Sequence, residues 1–568
     1  MIANTQISFN QMRYFSSVFS LFFAATLCAQ NNTTKTTDHN FEIAKNLDIF
    51  NSLYRELDIF YVDSLDANKV VRAGIDAMLE ELDPYTVYYP ADETGELRTM
   101  TTGKYGGIGS IIRMRKNKDV IIYEPYENMP AAEVGLKVGD VLKKIDGVDL
   151  TGKDTEQCSS MLRGDPGTTF ILEVLRPGEH KNRSFKITRR NIKLPAITVT
   201  AILDNDKGYI NLNSFTEGCS QDVRRAIISL KEQGAKSIVL DLRENGGGLL
   251  QEAVNIVNLF VPKGEEIVST KGKLSSVNSV YRTTAEPLDL NIPLVVLVNG
   301  STASAAEIVS GALQDLDRAV VVGARTYGKG LVQSPRELPY NATVKLTTSK
   351  YYIPSGRCIQ AIDYKTVREL QNTGRIPDSL TNVFHTAGGR EVRDGGGIKP
   401  DVEVRHDTVS NLLFYLSNDD VLIDFATEYC KAHSRPASVE EFSISDADFN
   451  NFKDFVSKAG FSYDRLSDRR LQDLRKVAEF EGYYEGAKEE FDALAKKLEH
   501  NIDREFSHFK KEICLLLSQE IVKRWFFQKG VIMNQLKDDT DFEEAKKILG
   551  DPSLYKSILT VDNKNDNE

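Results

Sequence analysis

The sequence predicts an α/β core built on a largely parallel sheet, with a small β-domain before it and helical segments at both flanks. Three observations predict it. Between Ile192 and about Arg405, strand-like runs alternate with helical periods, the pattern of crossover connections in a layered α/β fold. Residues 101–192 change to short strands punctuated by glycines. The stretches on either side carry apolar residues at helical spacing. A length of 568 residues suggests three or four domains at about 150 residues each. The net charge of −11 argues against a nucleic-acid binder, which needs a basic face.

Taken in order, the chain begins with Arg13 ahead of an apolar stretch, Tyr14 to Leu27, then Cys28-Ala29-Gln30 and a polar Asn/Thr run. This reads as a secretory signal peptide over 1–29, cleaved after Ala29, and implies export, to the periplasm where the cell has an outer membrane. The first eleven residues carry no charged side chain, so Met12 is an alternative start. A lipid anchor on Cys28 is the competing reading, disfavoured by the bulky Leu27 before it. After residue 30 no segment approaches the roughly 20 apolar residues of a membrane span. The remaining cysteines, Cys158, Cys219, Cys358, Cys430 and Cys514, are scattered, odd in number and without metal-ligand spacing, and read mostly as small buried hydrophobes.

Residues 30–100 form a helical region after a polar start, with Ile43, Leu47, Phe50, Leu53 and Leu57 and then Val70, Met78 and Leu82 at helical spacing. Asp83-Pro84 stops the second helix, and LDPYTVYYP leads out of it as plain scaffold. In 101–192, Tyr105-Gly106-Gly107-Ile108-Gly109 precedes an alternating strand; Pro130-Ala131-Ala132, then Gly139-Asp140-Val141-Leu142 and Ile145-Asp146-Gly147 follow. That order resembles a PDZ domain. The resemblance implies that the amides of Gly106, Gly107, Ile108 and Gly109 receive a peptide carboxylate and that the strand edge accepts an added strand. Arg163-Gly164 reads as a turn.

The α/β region, 193–405, contains the strands GYINLNSF (208–215) and SIVLDLR (237–243), the glycine loop Glu244-Asn245-Gly246-Gly247-Gly248, and PLVVLV (293–298) running into Asn299-Gly300. A cluster of small residues, Ser301 to Ala306, opens a helix there, and Gly397-Ile398-Lys399-Pro400-Asp401 closes the region. Residues 406–568 are helical and charged, which suits packing, homo-oligomer formation or an adaptor's docking rather than chemistry; NKNDNE at the end is expected to be disordered.

Chemistry concentrates at two stretches. Gly323 to Lys329 fits G-x-x-x-x-G-K after an apolar strand, but a phosphate loop needs Ser or Thr next and a helix, and here Gly330 and then Pro335 follow. The alternative is a serine nucleophile with a lysine base. Small residues at Ser304 let a substrate backbone approach, and the unpaired N–H groups of a first helical turn favour negative charge. Lys329, between Gly328 and Gly330, has apolar neighbours and no adjacent carboxylate, so desolvation can bring its pKa down from about 10.4. Gln333 stands four residues on, where its amide oxygen can orient the amine. Ala305 N–H supplies one oxyanion donor, and the glycines 246–248, ending a strand, supply the second. The seven histidines lie in polar contexts, G-x-S-x-G is absent, and the S-x-x-K match at Ser553–Lys556 sits in the charged tail.

STASAAEI, RTYGKGLVQ, DLRENGGG, YGGIG and GIKPD together resemble the carboxyl-terminal processing (tail-specific) proteases, over roughly residues 41–405. The resemblance implies a crotonase-like α/β protease core with an inserted PDZ domain, and an endopeptidase with Ser304 as nucleophile, Lys329 as general base and Gln333 as its orienter. It implies Ala305 and Gly248 as the oxyanion hole, protein substrates with exposed C-termini, and no metal or cofactor. Tyr327 stands where Phe is expected, and 406–568 lies beyond the matched part. Two rival readings remain: an inactive PDZ scaffold that delivers tailed proteins to another protease, and a nucleotide enzyme dependent on Gly328.

Overall fold

A computed structural model of the chain describes residues 38–364, 376–406, 410–463, 465–498 and 502–561. The expected leader over 1–29 and the NKNDNE segment lie outside the described residues. The chain divides into two compact units, Met1–Glu81 and Leu82–Glu568. In the first, helices span 38–60 and Ala67–Glu80, the second capped by Asp66, whose carboxylate accepts from Lys69 N–H. Phe41, Leu47 and Phe60 on the first of these helices are exposed.

The second unit is organised by a six-stranded sheet. β1 (Ile197–Leu203) runs antiparallel to β2 (Lys207–Leu212); after helix α1 (Cys219–Glu232), β3 (Ser237–Asp241) joins β2 in parallel. Helix α2 (Leu250–Val257) leads on toward β4 (Leu294–Val298), and helix α3 (Ala305–Asp315) connects β4 to β5 (Val320–Gly323). β4, β5 and β6 (Val402–Glu403) extend the sheet in parallel. Every residue of β3, β4 and β5 is buried. Continuous apolar runs such as LVVLV therefore have a physical reason: a sheet covered on both faces has no solvent side for polar residues to alternate toward.

One face packs on α1, α2 and α3 through Val223, Ile227, Val254, Ile308 and Leu313. The other face is covered from far along the chain. Helix α4 (Lys510–Gln535) breaks at Phe527 (φ 55°) between a Phe-rich cluster and the sheet. From there Ile532, Leu536 and, on helix α5 (Thr540–Gly550), Phe542, Ala545 and Ile548 lie against Val199, Tyr209, Val239, Val295 and Val322. Each large apolar side chain buried there contributes about 1.5–3 kcal/mol. Part of the charged tail is thus a layer of the α/β core.

A second sheet flanks this core. Thr343–Tyr352 pairs with Val87–Tyr89, with Glu266–Gly272 and, as a hairpin, with Leu331–Glu337. The small β-domain has five main strands, Ser110–Met114, Val120–Pro125, Val141–Ile145, Thr169–Leu175 and Arg183–Thr188, and a helix, Thr155–Leu162, around its own core. It is inserted through a two-stranded stem in which Lys104–Gly107 pairs with Arg190–Lys193. Its hairpin tip meets the C-terminal helices, where Arg115 reaches Asp424 at 2.5 Å and Lys116 N–H donates to Asp420 at 2.9 Å. Among the described residues the cysteines are unpaired, with Cys158 and Cys219 fully buried, and no helix is long and apolar enough to cross a membrane.

Candidate active site

The site lies where β4 turns into α3. Asn299 N–H donates to Thr302 Oγ1 (2.9 Å), which donates to the carbonyl of Leu242 (2.9 Å), so the turn is stitched to the end of β3. Ser304 follows with φ 57° and ψ −117°, a backbone region L residues rarely occupy and one costing about 1–3 kcal/mol. Such a turn projects a side chain at the mouth of a sheet while the next residue begins a helix. The surroundings over-determine it: Ala303 N–H donates to the Asn245 carbonyl (2.9 Å), and Ser304 N–H donates to Glu307 Oε2 (2.8 Å). Tyr327 N–H donates to the Thr302 carbonyl (3.0 Å), bringing the lysine loop alongside.

Glu307 joins the two motifs. Its fully buried carboxylate accepts from Ser304 N–H, Lys329 N–H (2.9 Å), Gly328 N–H (2.7 Å) and Thr326 Oγ1 (2.5 Å). Burial pushes its pKa up, while these donors pull it down. Four donors on two oxygens fit the ionised, acceptor-only form. Thr326 Oγ1 in turn accepts from Ile398 N–H (2.7 Å), which gives the GIKPD turn its task of holding the loop. Tyr351, fully buried, places its hydroxyl 2.5 Å from the Lys329 carbonyl and 3.1 Å from that of Ser304.

The glycines beside Lys329 are there for space. A Cβ on Gly328 (φ 86°) would stand 2.2 Å from Ala361 Cβ, and one on Gly330 would stand 2.8 Å from Gln360 N. The lysine itself is half-buried, and its Nζ makes no hydrogen bond or ion pair with any described residue. It lies 4.1 Å from the ring centroid of Tyr85. Its pKa is lowered below the usual lysine value, first by burial and then by the like charge of Lys345; Asp83 and Glu307 oppose this. No hydrogen bond joins the amine to Ser304 or to Gln333. Gln333 instead donates from Nε2 to Thr347 Oγ1 (3.2 Å), which leaves its amide oxygen available.

The glycine loop abuts the serine turn. A Cβ built on Gly247 (φ 99°) would fall 2.8 Å from Ser304 Cβ and 2.9 Å from Ala305 N, so a side chain here would cover the Ala305 amide. Gly247 N–H is used by Asn245 Oδ1 (2.9 Å), and Asn245, completely buried, donates onward to the Leu212 carbonyl (2.7 Å). Among the described residues the N–H groups of Ala305 and Gly248 have no acceptor, while the neighbouring backbone of Phe215 and Leu249 is bonded (Phe215 N–H to Gly247 O, Leu249 N–H to Phe215 O). A partly buried hydroxyl, a lysine amine with no counter-ion among the described residues and two amides without acceptors form an arrangement that can support acyl transfer.

Comparison with known proteins agrees in kind. Residues 206–367 match the model of peptidase family S41, residues 121–176 a PDZ domain, and residues 412–549 the C-terminal helical domain of probable PDZ-proteases. A carboxy-terminal-processing protease of Bartonella bacilliformis is 37% identical over 353 residues, 61% of this chain and 79% of that protein. The chain belongs to the carboxy-terminal-processing proteases of family S41. It is a serine peptidase with a PDZ domain. A probable CtpA-like serine protease of Staphylococcus haemolyticus is 35% identical over 309 residues, 54% of this chain and 61% of that one. Among solved structures, the photosystem II D1 C-terminal processing protease is 27% identical with a TM-score of 0.35, covering 62% of this chain and 86% of that chain.

Within this protease the geometry draws Ser304, Ala305, Lys329 and Gly248 toward one sheet end. Gly106 to Gly109 belong to the PDZ domain. Gly106 and Gly107 lie in the stem strand, Ile108 buries its side chain in the domain core, and Gly109 (φ 71°) accepts from Tyr126 N–H. Sequence reasoning missed Glu307, Asn245 and Tyr85. A signal for Glu307 existed: Ser304-Ala305-Ala306-Glu307 is the S-x-x-E pattern of a helix N-terminus. The C-terminal helices also reach the site's supports. Arg243, next to the glycine loop, is bonded to Asp241 and to Asp539 (2.9 Å) and Asp541 (3.0 Å) at the start of α5.

Proposed function

We propose that the protein is an exported endopeptidase that cuts protein substrates near their C-termini through a Ser304–Lys329 dyad on a crotonase-like core. The observation that carries this reading is the lysine amine. It is half-buried with no anionic partner among the described residues, on a loop bonded through Glu307 to the strained serine turn. A lysine so placed is neutral over more of the accessible pH range and can accept a proton.

In the proposed cycle, Lys329 takes the proton of Ser304 Oγ as the oxygen attacks the scissile carbonyl. The resulting oxyanion is bound by the N–H groups of Ala305 and Gly248. Collapse breaks the C–N bond, and Lys329 returns the proton to the leaving amine. Water, deprotonated by the same amine, then attacks the acyl carbonyl; the C–Oγ bond breaks and the ammonium returns its proton to Ser304 Oγ. Gln333 orients the amine through its amide oxygen. The PDZ loop from Gly106 to Gly109 holds the substrate's carboxylate. Export rests on the apolar stretch Tyr14 to Leu27.

The decisive experiment measures cleavage of an unstructured peptide with an apolar C-terminus by Ser304→Ala and Lys329→Ala proteins, alongside labelling by a serine-directed fluorophosphonate. Loss of cleavage on the order of a thousandfold or more in both variants, with labelling of Ser304 in the parent, is the expected result. Peptide binding without labelling or cleavage in the parent protein would support the PDZ scaffold instead.

A further inference from the structure

Tyr85 lies in LDPYTVYYP, a stretch with no chemical role in the reading of the sequence. The structure packs it against the lysine. Its ring centroid is 4.1 Å from Lys329 Nζ, and the ring is fixed from three directions. Buried Asp83 accepts from the N–H groups of Tyr85 and Thr86, both at 2.8 Å, and from Thr86 Oγ1 at 3.1 Å, which sets the backbone. Strand pairing of Val87 with Lys345 ties the same segment to the second sheet. At the far end, the Tyr85 hydroxyl donates to Tyr327 Oη (3.2 Å) and is 2.8 Å from Tyr364 Oη, whose ring meets that of Tyr85 edge-on at 5.8 Å. Thr86 Oγ1 also accepts from Thr347 N–H (3.2 Å), beside the Gln333 bond.

We propose that Tyr85 is a positioning residue for the general base: its ring face is where the Lys329 ammonium rests after it has taken the serine proton. The charged groups that bear on the amine are Lys345 on the flanking strand, Asp83 in the preceding loop and Glu307 on α3; none is bonded to it. A carboxylate within 4–6 Å would favour the ammonium by roughly ten- to a thousandfold and keep the base charged. An aromatic face favours it by only about three- to thirtyfold. That is enough to stabilise the ammonium formed during acylation and too little to hold the proton when the leaving amine needs it. Tyr85 acts through Lys329 and touches no reacting atom itself.

The inference rests on the Ser304–Lys329 reading, so Lys329→Ala is assayed in parallel. Position 85 is replaced by phenylalanine and by phenylalanines bearing successive ring fluorines, which drain the face of electron density with little change of shape. Peptide cleavage is then followed against pH. Removing attraction for the ammonium lowers the pKa of Lys329, so the acid limb of kcat/KM should move stepwise to lower pH across the series. Plateau kcat should fall while KM stays constant. Tyr85→Phe, which loses the hydroxyl anchors, should cost about threefold in kcat and leave the acid limb in place. Tyr85→Leu should lose about tenfold or more in kcat. An acid limb that does not respond to fluorination, or an effect confined to KM, overturns the proposal even if the Leu variant fails to fold. Full activity in Lys329→Ala would instead bring down the dyad, and the role of Tyr85 with it.

Discussion

The backbone of the candidate site and the amine of its proposed base are held in opposite ways. Around Ser304 and Lys329 the main chain is pinned: Glu307 takes four donors, Tyr351 bridges two carbonyls, and Asn245 locks the facing glycine loop. Among the described residues the Lys329 amine has no hydrogen-bond partner, and it rests on the Tyr85 ring. The contrast separates two requirements of acyl transfer. Oxyanion donors must be in place before charge develops, because reorganising them would add to the barrier. In the proposed dyad the base collects a proton at one position and releases it at another, and a bonded amine would resist that.

Four changes would break or sharpen this contrast. The largest effect is expected from Gly247→Ala. The added methyl would press on Ser304 and cover the Ala305 amide, at a backbone angle that suits only glycine, so kcat should fall on the order of a thousandfold in the peptide assay with little change in secondary structure by circular dichroism. Glu307→Gln comes next. One oxygen becomes an NH2 facing two donors, which should cost about 2–4 kcal/mol in urea denaturation and on the order of a hundredfold in kcat. Gln333→Ala removes only the orienting amide, and about tenfold in kcat with unchanged KM is expected.

The smallest effect tests the amine's electrostatics. Lys345 lowers the pKa of Lys329, so Lys345→Gln should raise it and move the acid limb of the pH profile upward, costing about threefold in activity on that limb and nothing on the plateau. The sign for stability follows from the same group. The folded pKa of Lys329 lies below its unfolded value, so between the two the folded chain binds fewer protons and stability rises with pH. Lys345→Gln narrows that window.

The sequence made legible what short stretches encode. LVVLV and SIVLD are buried strands, the glycine-punctuated segment is a PDZ domain, and the serine and lysine stretches meet. Each of these carries its own period or turn chemistry. What remained hidden was partnership between distant stretches. Phe542, Ala545 and Ile548 spell one face of an amphipathic helix, but nothing in their spacing says that this face closes the sheet bearing the serine. Tyr85 was equally opaque. A tyrosine in an ordinary extended stretch gives no hint that its hydroxyl binds another 242 positions away, or that its ring lies under a lysine. Glu307 was legible, because Ser304-Ala305-Ala306-Glu307 has the spacing of a capping box at a helix start.

The closing of the sheet by α5 also has a meaning for biosynthesis. Arg243 beside the glycine loop meets Asp541, 298 positions further along the chain. At roughly 5–20 residues per second, a ribosome needs on the order of 15–60 seconds to make that stretch. During that interval the residues of α5 that cover this face in the folded chain are not yet made. The folded arrangement, with α5 on the sheet and Asp541 bonded to Arg243, is therefore complete only once α5 has been made.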